Sequence, residues 1–267
     1  MTDSPAFDLA TRDHPLLVGM VHLAPLPGSG AWAGDMDGLI AAARRDAERL
    51  LEGGCDALGV ENMGDVPYLK GHVYPETVAA MAVATAEIAK LGAPFGVQVL
   101  AAANREALGV AVATGAAFVR VEGFAYAHVA DEGWIDASAG ELVRTRAATG
   151  ATEIGLWADV KKKHAAHAVT GDLDLATIAK GAAFFGAEVL VVTGGATGEP
   201  TSLDDVRAAR EAGLPVAVGS GVTPENARAF AADAKALIVG TSLKEGGDWR
   251  GPVDVERVRA LRAALDG

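Results

Sequence analysis

Ionisable and amide side chains recur in this sequence at one kind of place, at or directly after short apolar runs rich in β-branched residues. An unpaired buried charge is costly, so such groups either face a binding site or pair with one another. A lysine beside a carboxylate is typical of proton transfer, of enolate stabilisation and of Schiff-base formation. The catalytic candidates are Asp159, Lys161, Glu61 and His22, and the substrate-binding candidates are Asn62, Gln98, Arg120, Glu122 and Lys163.

Positive charge is densest after Asp159, where three lysines follow one another. Asp159 and Lys161 are two residues apart, which places them on one face of a strand. We expect this pair to act on the substrate, and a salt bridge to a neighbouring strand is the alternative. Lys162, on the opposite face, is expected to be solvated. The pattern leaves open whether Lys161 is an electrostatic clamp, a general acid, a base or a Schiff-base nucleophile.

Two glycine-rich turns, 219–226 and 240–244, follow the last two apolar runs. Glycine lets a backbone approach a ligand closely, and unpaired backbone N–H groups bind anions. We expect Thr223 to cap the next helix, Pro224 to be its first residue, and Lys244 to add a cation to the anion site. The phosphate-binding candidates are Gly219, Ser220, Gly221, Gly240, Thr241 and Ser242, and a third flexible segment adds Thr193, Gly194 and Thr197 as substrate contacts.

We identify no cofactor and assign no metal ligand. Oxygen ligands for a divalent metal are available from Glu61, Asn62 and Asp65, but their spacing matches no specific metal motif. Hydrogen bonding within the protein is the expected role of Asp65. His164 and His167 are three residues apart and lack a third zinc ligand nearby in the sequence.

The apolar runs number eight and alternate with Ala-rich segments of helical periodicity. Continuously apolar strands suit a parallel sheet covered on both faces, and parallel strands need helical crossovers. Eight such units predict a single (β/α)₈ TIM barrel over residues 1–267, with 1–14 as a flexible or peripheral segment. The predicted strands are 16–21, 57–61, 95–100, 117–122, 154–160, 187–193, 215–219 and 236–240, and the predicted helices are 36–52, 76–91, 104–114, 172–185, 202–212, 224–232 and 253–265.

A doubly wound open sheet is the alternative fold, but the first strand lacks the G-x-G-x-x-G turn that usually follows it. In a barrel, the polar residues and both glycine-rich turns meet at the C-terminal rim, where barrel enzymes place their active sites. The longest irregular stretch, 123–140, is either a lid or an ordered surface excursion.

Composition excludes several classes of function. The 267 residues include 35 acidic and 23 basic side chains, a net charge of −12, which disfavours nucleic acids and anionic membranes as partners. Cys55 is the single cysteine, so an internal disulfide is excluded. No apolar run approaches the roughly 20 residues of a membrane span, and the N-terminus does not read as a signal peptide. We expect a cytoplasmic protein without membrane insertion that forms a homo-oligomer.

Several stretches resemble the BtpA/SgcQ family, in the same order along the chain. They are 19–29, 60–62, 96–100, 158–161, 192–194, 197–201, 219–226 and 239–244. The resemblance implies a TIM barrel related to the phosphate-binding barrels, in a family linked by name to photosystem I biogenesis and, in other members, to carbohydrate-utilisation gene clusters. Where the family tends to read R-V-N-x-F, this chain has Arg120-Val121-Glu122-Gly123-Phe124, so the resemblance does not carry a substrate over.

Together these patterns predict an isomerase, lyase or aldolase-like enzyme that acts on a small phosphorylated sugar-like metabolite. In this hypothesis Asp159 or Glu61 transfers a proton, and Lys161 polarises a carbonyl or stabilises an enolate. The alternative is a non-catalytic assembly or biogenesis factor that retains the anion pocket.

Overall fold

A computed structural model describes residues 9, 12, 14–194 and 201–267. Its strands are β1 (Leu16–His22), β2 (Ala57–Glu61), β3 (Phe95–Gln98), β4 (Phe118–Val121), β5 (His128–Ala130), β6 (Gly133–Ile135), β7 (Gly155–Lys161), β8 (Ala165–Ala166), β9 (Val189–Val192), β10 (Val216–Val218) and β11 (Ala236–Val239). Its α-helices are α1 (Met36–Glu52), α2 (Pro75–Ala89), α3 (Asn104–Thr114), α4 (Ala139–Ala148), α5 (Leu175–Phe184), α6 (Leu203–Arg210), α7 (Ala227–Ala231) and α8 (Val255–Asp266). Short 3₁₀ turns occupy Ala168–Thr170, Thr241–Leu243 and Glu245–Gly247.

Eight parallel strands close into a barrel in the order β1-β11-β10-β9-β7-β4-β3-β2, which confirms the predicted (β/α)₈ fold. Each of the eight predicted strands overlaps one of these. The prediction missed α4, which begins inside the predicted irregular stretch 123–140 and extends beyond it. Among the described residues, no helix combines the length and the apolar character that crossing a bilayer requires.

Side chains alternate between two apolar layers, as the pleat of a strand requires. On β1, Leu16, Val18 and Met20 belong to the cluster inside the barrel, whereas Leu17 and Val21 pack in the layer between the strands and the helices. Inside the barrel, the rings of Phe118 and Trp157 stack with their centroids 4.0 Å apart. The predicted peripheral segment 1–14 lies mostly outside the described residues, although Leu9 is buried in the inner cluster.

The stretch after β4 is folded rather than irregular. β5 pairs in antiparallel fashion with both β6 and β8, and the three strands form a small sheet beside the barrel. Ser138 then precedes α4, and its hydroxyl donates to the Gly123 carbonyl. Of the two alternatives for 123–140, the described structure is therefore an ordered excursion.

Lys244 does not add a cation to the rim, which corrects the expectation from sequence. Its side chain is 1% exposed and forms an ion pair with Asp46 of α1. Asp46 also accepts a hydrogen bond from the Val253 N–H at 2.9 Å. One buried charge pair therefore joins α1 to the chain that follows β11.

Asp46→Ala should lower the free energy of unfolding by about 3–5 kcal/mol, because it leaves the Lys244 ammonium buried without its partner. Glu48→Ala on the same helix is the matched control. Its exposed i,i+4 pair with Arg44 contributes at most about 0.5 kcal/mol. Chemical denaturation of both variants measures the difference, and equal losses would contradict the structural role of the buried pair.

Candidate active site

A cavity of about 350 Å³ opens at the C-terminal ends of the barrel strands. Both glycine-rich turns border it, and it also receives an imidazole, a carboxylate and three cationic side chains. Its polar lining includes His22, Glu61, Arg120, Lys163, Ser220, Thr223, Thr241, Ser242 and Arg257, together with Gly219, Gly221 and Gly240. The structure thus brings together most of the residues that the sequence singled out.

The two glycine-rich turns touch each other. The Ser242 hydroxyl donates to the Val222 carbonyl at 2.7 Å, and this bond crosses from the second turn to the first. Asn226 orders the first turn from within, because its side chain accepts from the Thr223 N–H and donates to the Gly221 carbonyl, both at 2.8 Å. The helix α7 begins after Asn226, at Ala227, so the predicted cap at Thr223 and first position at Pro224 were wrong.

Four backbone N–H groups on these turns have no acceptor within the part of the chain that the structure describes. They belong to Gly221, Val222, Thr241 and Ser242. The Gly219 N–H differs, since it donates to the Val192 carbonyl at 2.8 Å. Unpaired amide donors beside a cavity can bind an anion, so the turns retain the capacity that the sequence predicted.

Two glycines make room for the side chains of the site. A Cβ atom on Gly240 would lie 2.9 Å from Nε2 of His22, and one on Gly219 would lie 3.2 Å from Nη2 of Arg120. Both distances are shorter than ordinary van der Waals contact. Glycine at these two positions therefore lets the imidazole and the guanidinium reach the cavity wall.

Arg120 and Asp159 form a buried ion pair between the neighbouring strands β4 and β7. The Asp159 carboxylate accepts from Nε and Nη2 of Arg120 at distances of 3.1 to 3.3 Å, and its side chain is 1% exposed. Arg120 lines the cavity, whereas Asp159 lies outside its described lining. Asp159 thus holds the guanidinium in place. This is the salt bridge to a neighbouring strand that the sequence analysis gave as the alternative role of Asp159.

The side chains of the three lysines after Asp159 lie in different environments. The pairing of β7 with β9 is irregular between Asp159 and Lys161. Side chains do not alternate strictly across such an irregularity, so a spacing of two no longer places these residues on one face of the strand. Lys163 lines the cavity, and Lys161 is absent from its described lining. Burial, with a smaller effect of Arg120, lowers the pKa of Lys163.

Lys162 is buried, not solvated as predicted. Its ammonium lies 3.6 Å from Glu122 and 3.3 Å from Glu132, which belongs to the turn between β5 and β6. The Glu122 carboxylate also accepts from the Gln98 side chain at 3.2 Å and from the Ala102 N–H at 2.8 Å. Burial raises the pKa of Glu122 to about 7, and Lys162 opposes this shift.

His22 and Glu61 face each other at the ends of β1 and β2, with Nε2 and Oε2 3.7 Å apart. Nδ1 of His22 lies 3.3 Å from the Trp249 carbonyl. A carbonyl only accepts, so we assign the proton of the neutral ring to Nδ1, which leaves a lone pair on Nε2. Burial lowers the pKa of His22 despite the opposing effect of Glu61, so the neutral ring dominates at pH 7.

Several predicted substrate contacts hold the rim together and lie outside the described lining of the cavity. Asn62 accepts from the Leu100 N–H at 2.7 Å, and Gln98 contacts Glu122 as above. Thr193 accepts from the Lys163 N–H at 3.2 Å, and the Gly194 N–H donates to the Ser220 hydroxyl at 2.7 Å. Thr197 lies outside the described residues.

Asp65 has the hydrogen-bonding role expected from the sequence. Its carboxylate accepts from the Leu26 N–H at 2.7 Å and from the Asn62 side chain at 3.0 Å. Within residues 14–194 and 201–267, no three His, Cys, Asp or Glu side chains come together as a metal-binding group.

The sequence analysis missed Arg257 and Met63, which both line the cavity. Arg257 comes from the first turn of α8 and donates to the Ser242 carbonyl at 3.3 Å. It lies far from any predicted strand end, and Met63 is apolar, so a search for polar groups at strand ends could find neither.

Comparison with known proteins identifies the same family along the whole barrel. A model described as the BtpA family matches residues 13–266. "Uncharacterized protein F13E9.13, mitochondrial" from Caenorhabditis elegans is 43% identical over 257 residues, which are 94% of this chain and 92% of that protein. "Photosystem I biogenesis protein BtpA" from Synechocystis is 36% identical over 260 residues, which are 95% of this chain and 89% of that protein.

Solved structures show the same fold at low identity. Thiamine phosphate pyrophosphorylase from Pyrococcus furiosus matches with a TM-score of 0.57 and 16% identity over 94% of this chain and 95% of that one. Phosphoribosyl anthranilate isomerase from Thermus thermophilus matches with a TM-score of 0.56 and 16% identity over 94% and 98% of the two chains. These likenesses establish the barrel and carry no further conclusion about the site.

The shifted pKa of Glu122 predicts a pH-dependent stability. The folded protein holds the Glu122 proton up to about pH 7, whereas the ordinary pKa of a glutamate in an unfolded chain is 4.5. The contribution of this group is therefore fully present below pH 4.5 and is lost as the pH rises through 7. Relative to Glu122→Gln, the wild-type free energy of unfolding should fall by up to about 1.4 kcal/mol per pH unit between these values.

Glu141→Gln is the control for that measurement, because the Glu141 side chain is 66% exposed. Urea denaturation at several pH values from 5 to 8 gives the slopes for all three proteins. The same slope in wild type and Glu122→Gln would show that Glu122 does not titrate in this range.

Proposed function

The chain belongs to the BtpA family, and we propose that its rim cavity is the active site of an enzyme acting on a small phosphorylated sugar-like metabolite. The reaction class is isomerisation or lyase chemistry, with proton transfer as the common step. The observation that carries this proposal is the hydrogen bond from Ser242 to the Val222 carbonyl. It joins two turns whose unpaired amide donors border one cavity.

The anion site follows from the amides and the charges around them. The N–H groups of Gly221, Val222, Thr241 and Ser242 would bind the phosphate oxygens. Arg257 adds a cation on the same side, because its guanidinium donates to the Ser242 carbonyl. A phosphate is favoured over a carboxylate. Four N–H donors from two turns match the three terminal oxygens of a phosphate better than the two oxygens of a carboxylate.

Proton transfer is the role proposed for His22 and Glu61. The lone pair assigned to Nε2 of a neutral imidazole makes His22 a base at pH 7, and Glu61 is positioned to stabilise the imidazolium that forms. Asp159 has no proton-transfer role in this scheme, because its carboxylate is engaged by Arg120. It is a positioning residue for that guanidinium.

In this scheme Lys163 and Arg120, rather than Lys161, stabilise the negative charge that develops on the substrate. Both cations line the cavity, and a fixed cation acts best on the negative charge that develops on an enolate oxygen. The lowered pKa of Lys163 also keeps a Schiff-base step available, because the neutral amine is the nucleophile.

The names of structural neighbours agree with this class of substrate. One is named a thiamine phosphate pyrophosphorylase and another a phosphoribosyl anthranilate isomerase, and both names specify a phosphorylated compound. The fold alone hosts many activities, so this agreement supports the proposal only as an analogy.

A second candidate function is favoured by the name of the Synechocystis relative, a photosystem I biogenesis protein. In that case the barrel is a non-catalytic assembly factor, and the cavity holds an anion without turning it over. Binding without chemistry would distinguish this candidate from the enzyme.

Gly221→Val should weaken binding of ribose 5-phosphate at least about tenfold, because a side chain next to the unpaired amides occupies the anion site. Gly213→Val is the matched control. Gly213 has a similar left-handed backbone, with φ of 78° against 67° for Gly221, and its Cβ would meet open space away from the cavity. Isothermal titration calorimetry measures both, with free ribose as the unphosphorylated ligand; equal affinities in both variants would remove the anion site.

Lys163→Met should reduce turnover at least about a hundredfold, whereas Lys161→Met should retain it. The assay follows exchange of carbon-bound hydrogen by proton NMR in D₂O, over a panel of phosphorylated aldoses and ketoses. Loss of exchange in Lys161→Met alone would return the catalytic role to that residue. Binding of panel members without any exchange would favour the assembly factor.

A further inference from the structure

A second cavity of about 580 Å³ adjoins the proposed active site and is not used by the mechanism above. It lies between α1 and the segment that precedes α8, where Trp249, Gly251 and Pro252 line it. His22 borders both cavities. The two cavities are therefore neighbours at the end of β1, with the His22 side chain between them.

The second cavity has a different chemistry from the first. Leu23, Pro25, Leu39, Ala42 and Ala43 make most of its wall apolar. Its polar side chains include Arg45, Asp46, Arg49 and Arg250, of which Asp46 already pairs with Lys244 and Arg49 donates to the Val253 carbonyl. Sugar hydroxyls against the apolar part of the wall would lose hydrogen bonds to water, which costs free energy. This cavity therefore suits a group with an apolar face better than a second sugar.

The polar groups of the second cavity favour a flat aromatic ring over an aliphatic chain. Trp249 lines it, and the Arg250 guanidinium lies 4.3 Å from the centroid of the Trp249 ring. Arg45 lines the cavity from α1. Tryptophan rings and guanidinium planes both stack on aromatic faces, and such contacts discriminate planar π systems from saturated groups.

His22, the base of the proposed mechanism, lies between the two cavities. The Trp249 carbonyl accepts from Nδ1 of His22, and the two rings meet edge to face with centroids 6.3 Å apart. A group in the second cavity would rest beside the residue that orients this imidazole.

We propose that the second cavity, lined by Leu39, Ala42, Trp249 and Arg250, is a subsite for a planar aromatic group carried by the same molecule whose phosphate binds at the rim. This inference rests on the proposed function, because the phosphate anchors the molecule. It narrows the substrate class to phosphorylated sugars that bear an aromatic substituent.

The test compares ribose 5-phosphate with adenosine 5′-monophosphate, which adds an aromatic ring to the same phosphorylated sugar. Isothermal titration calorimetry should show that wild type binds the nucleotide at least about tenfold more tightly, as expected for stacking of one base. Ala42→Phe, on an exposed position of α1, should fill the subsite and abolish this difference while leaving ribose 5-phosphate binding unchanged. Ala41→Phe is the matched control, exposed on the same helix and outside the cavity lining, and should keep the difference.

The outcomes separate the two proposals. Equal affinity for both ligands in wild type, or an equal loss in both alanine variants, would overturn the aromatic subsite and leave the phosphate site standing. No binding of ribose 5-phosphate would overturn the proposed function. If adenosine alone then still bound with sensitivity to Ala42→Phe, the subsite would survive as an aromatic site independent of the phosphate.

Discussion

The buried ion pair between Arg120 and Asp159 determines how charge is arranged at the rim of this barrel. From β7, Asp159 accepts from Nε and Nη2 along one edge of the guanidinium, so Arg120 can reach the cavity without leaving an uncompensated charge inside the barrel. Gly219 leaves the space that this guanidinium occupies. A single carboxylate thus allows an arginine that would otherwise destabilise the interior to line the cavity as a fixed cation.

The same constraint separates the acidic groups of the rim into different environments. Asp159 is engaged by Arg120, and Glu122 belongs to a network with Lys162 and Gln98 behind the cavity. Glu61 is the carboxylate that lines the cavity beside His22. The order of the strands, and not the residue type, decides which of these three acids lines the cavity.

Much of the fold, and the meeting of the two glycine-rich turns at one cavity, could be predicted from the sequence, because both depend on short-range patterns. Apolar runs that alternate with helical segments specify the barrel, and the two glycine-rich turns follow adjacent strands whose carboxyl ends must meet. The positions of Lys161, Lys162 and Lys163 could not be predicted in the same way. One irregular pairing between β7 and β9 breaks the period of two, and it depends on a neighbour distant in sequence. Lys244 was misplaced for a related reason, since its partner Asp46 lies in the first helix of the chain.

His22 links the two cavities because of its position at the end of β1 and the carbonyl that fixes its ring. Trp249 lies beyond β11, the strand that closes the barrel against β1, so barrel closure itself brings the Trp249 carbonyl to Nδ1 of His22. With that nitrogen donating, Nε2 faces Glu61 and Gly240. The basic lone pair is thus directed by a residue that also lines the second cavity. A barrel that closed with a different segment after β11 would keep the two glycine-rich turns and lose the carbonyl that orients the His22 ring.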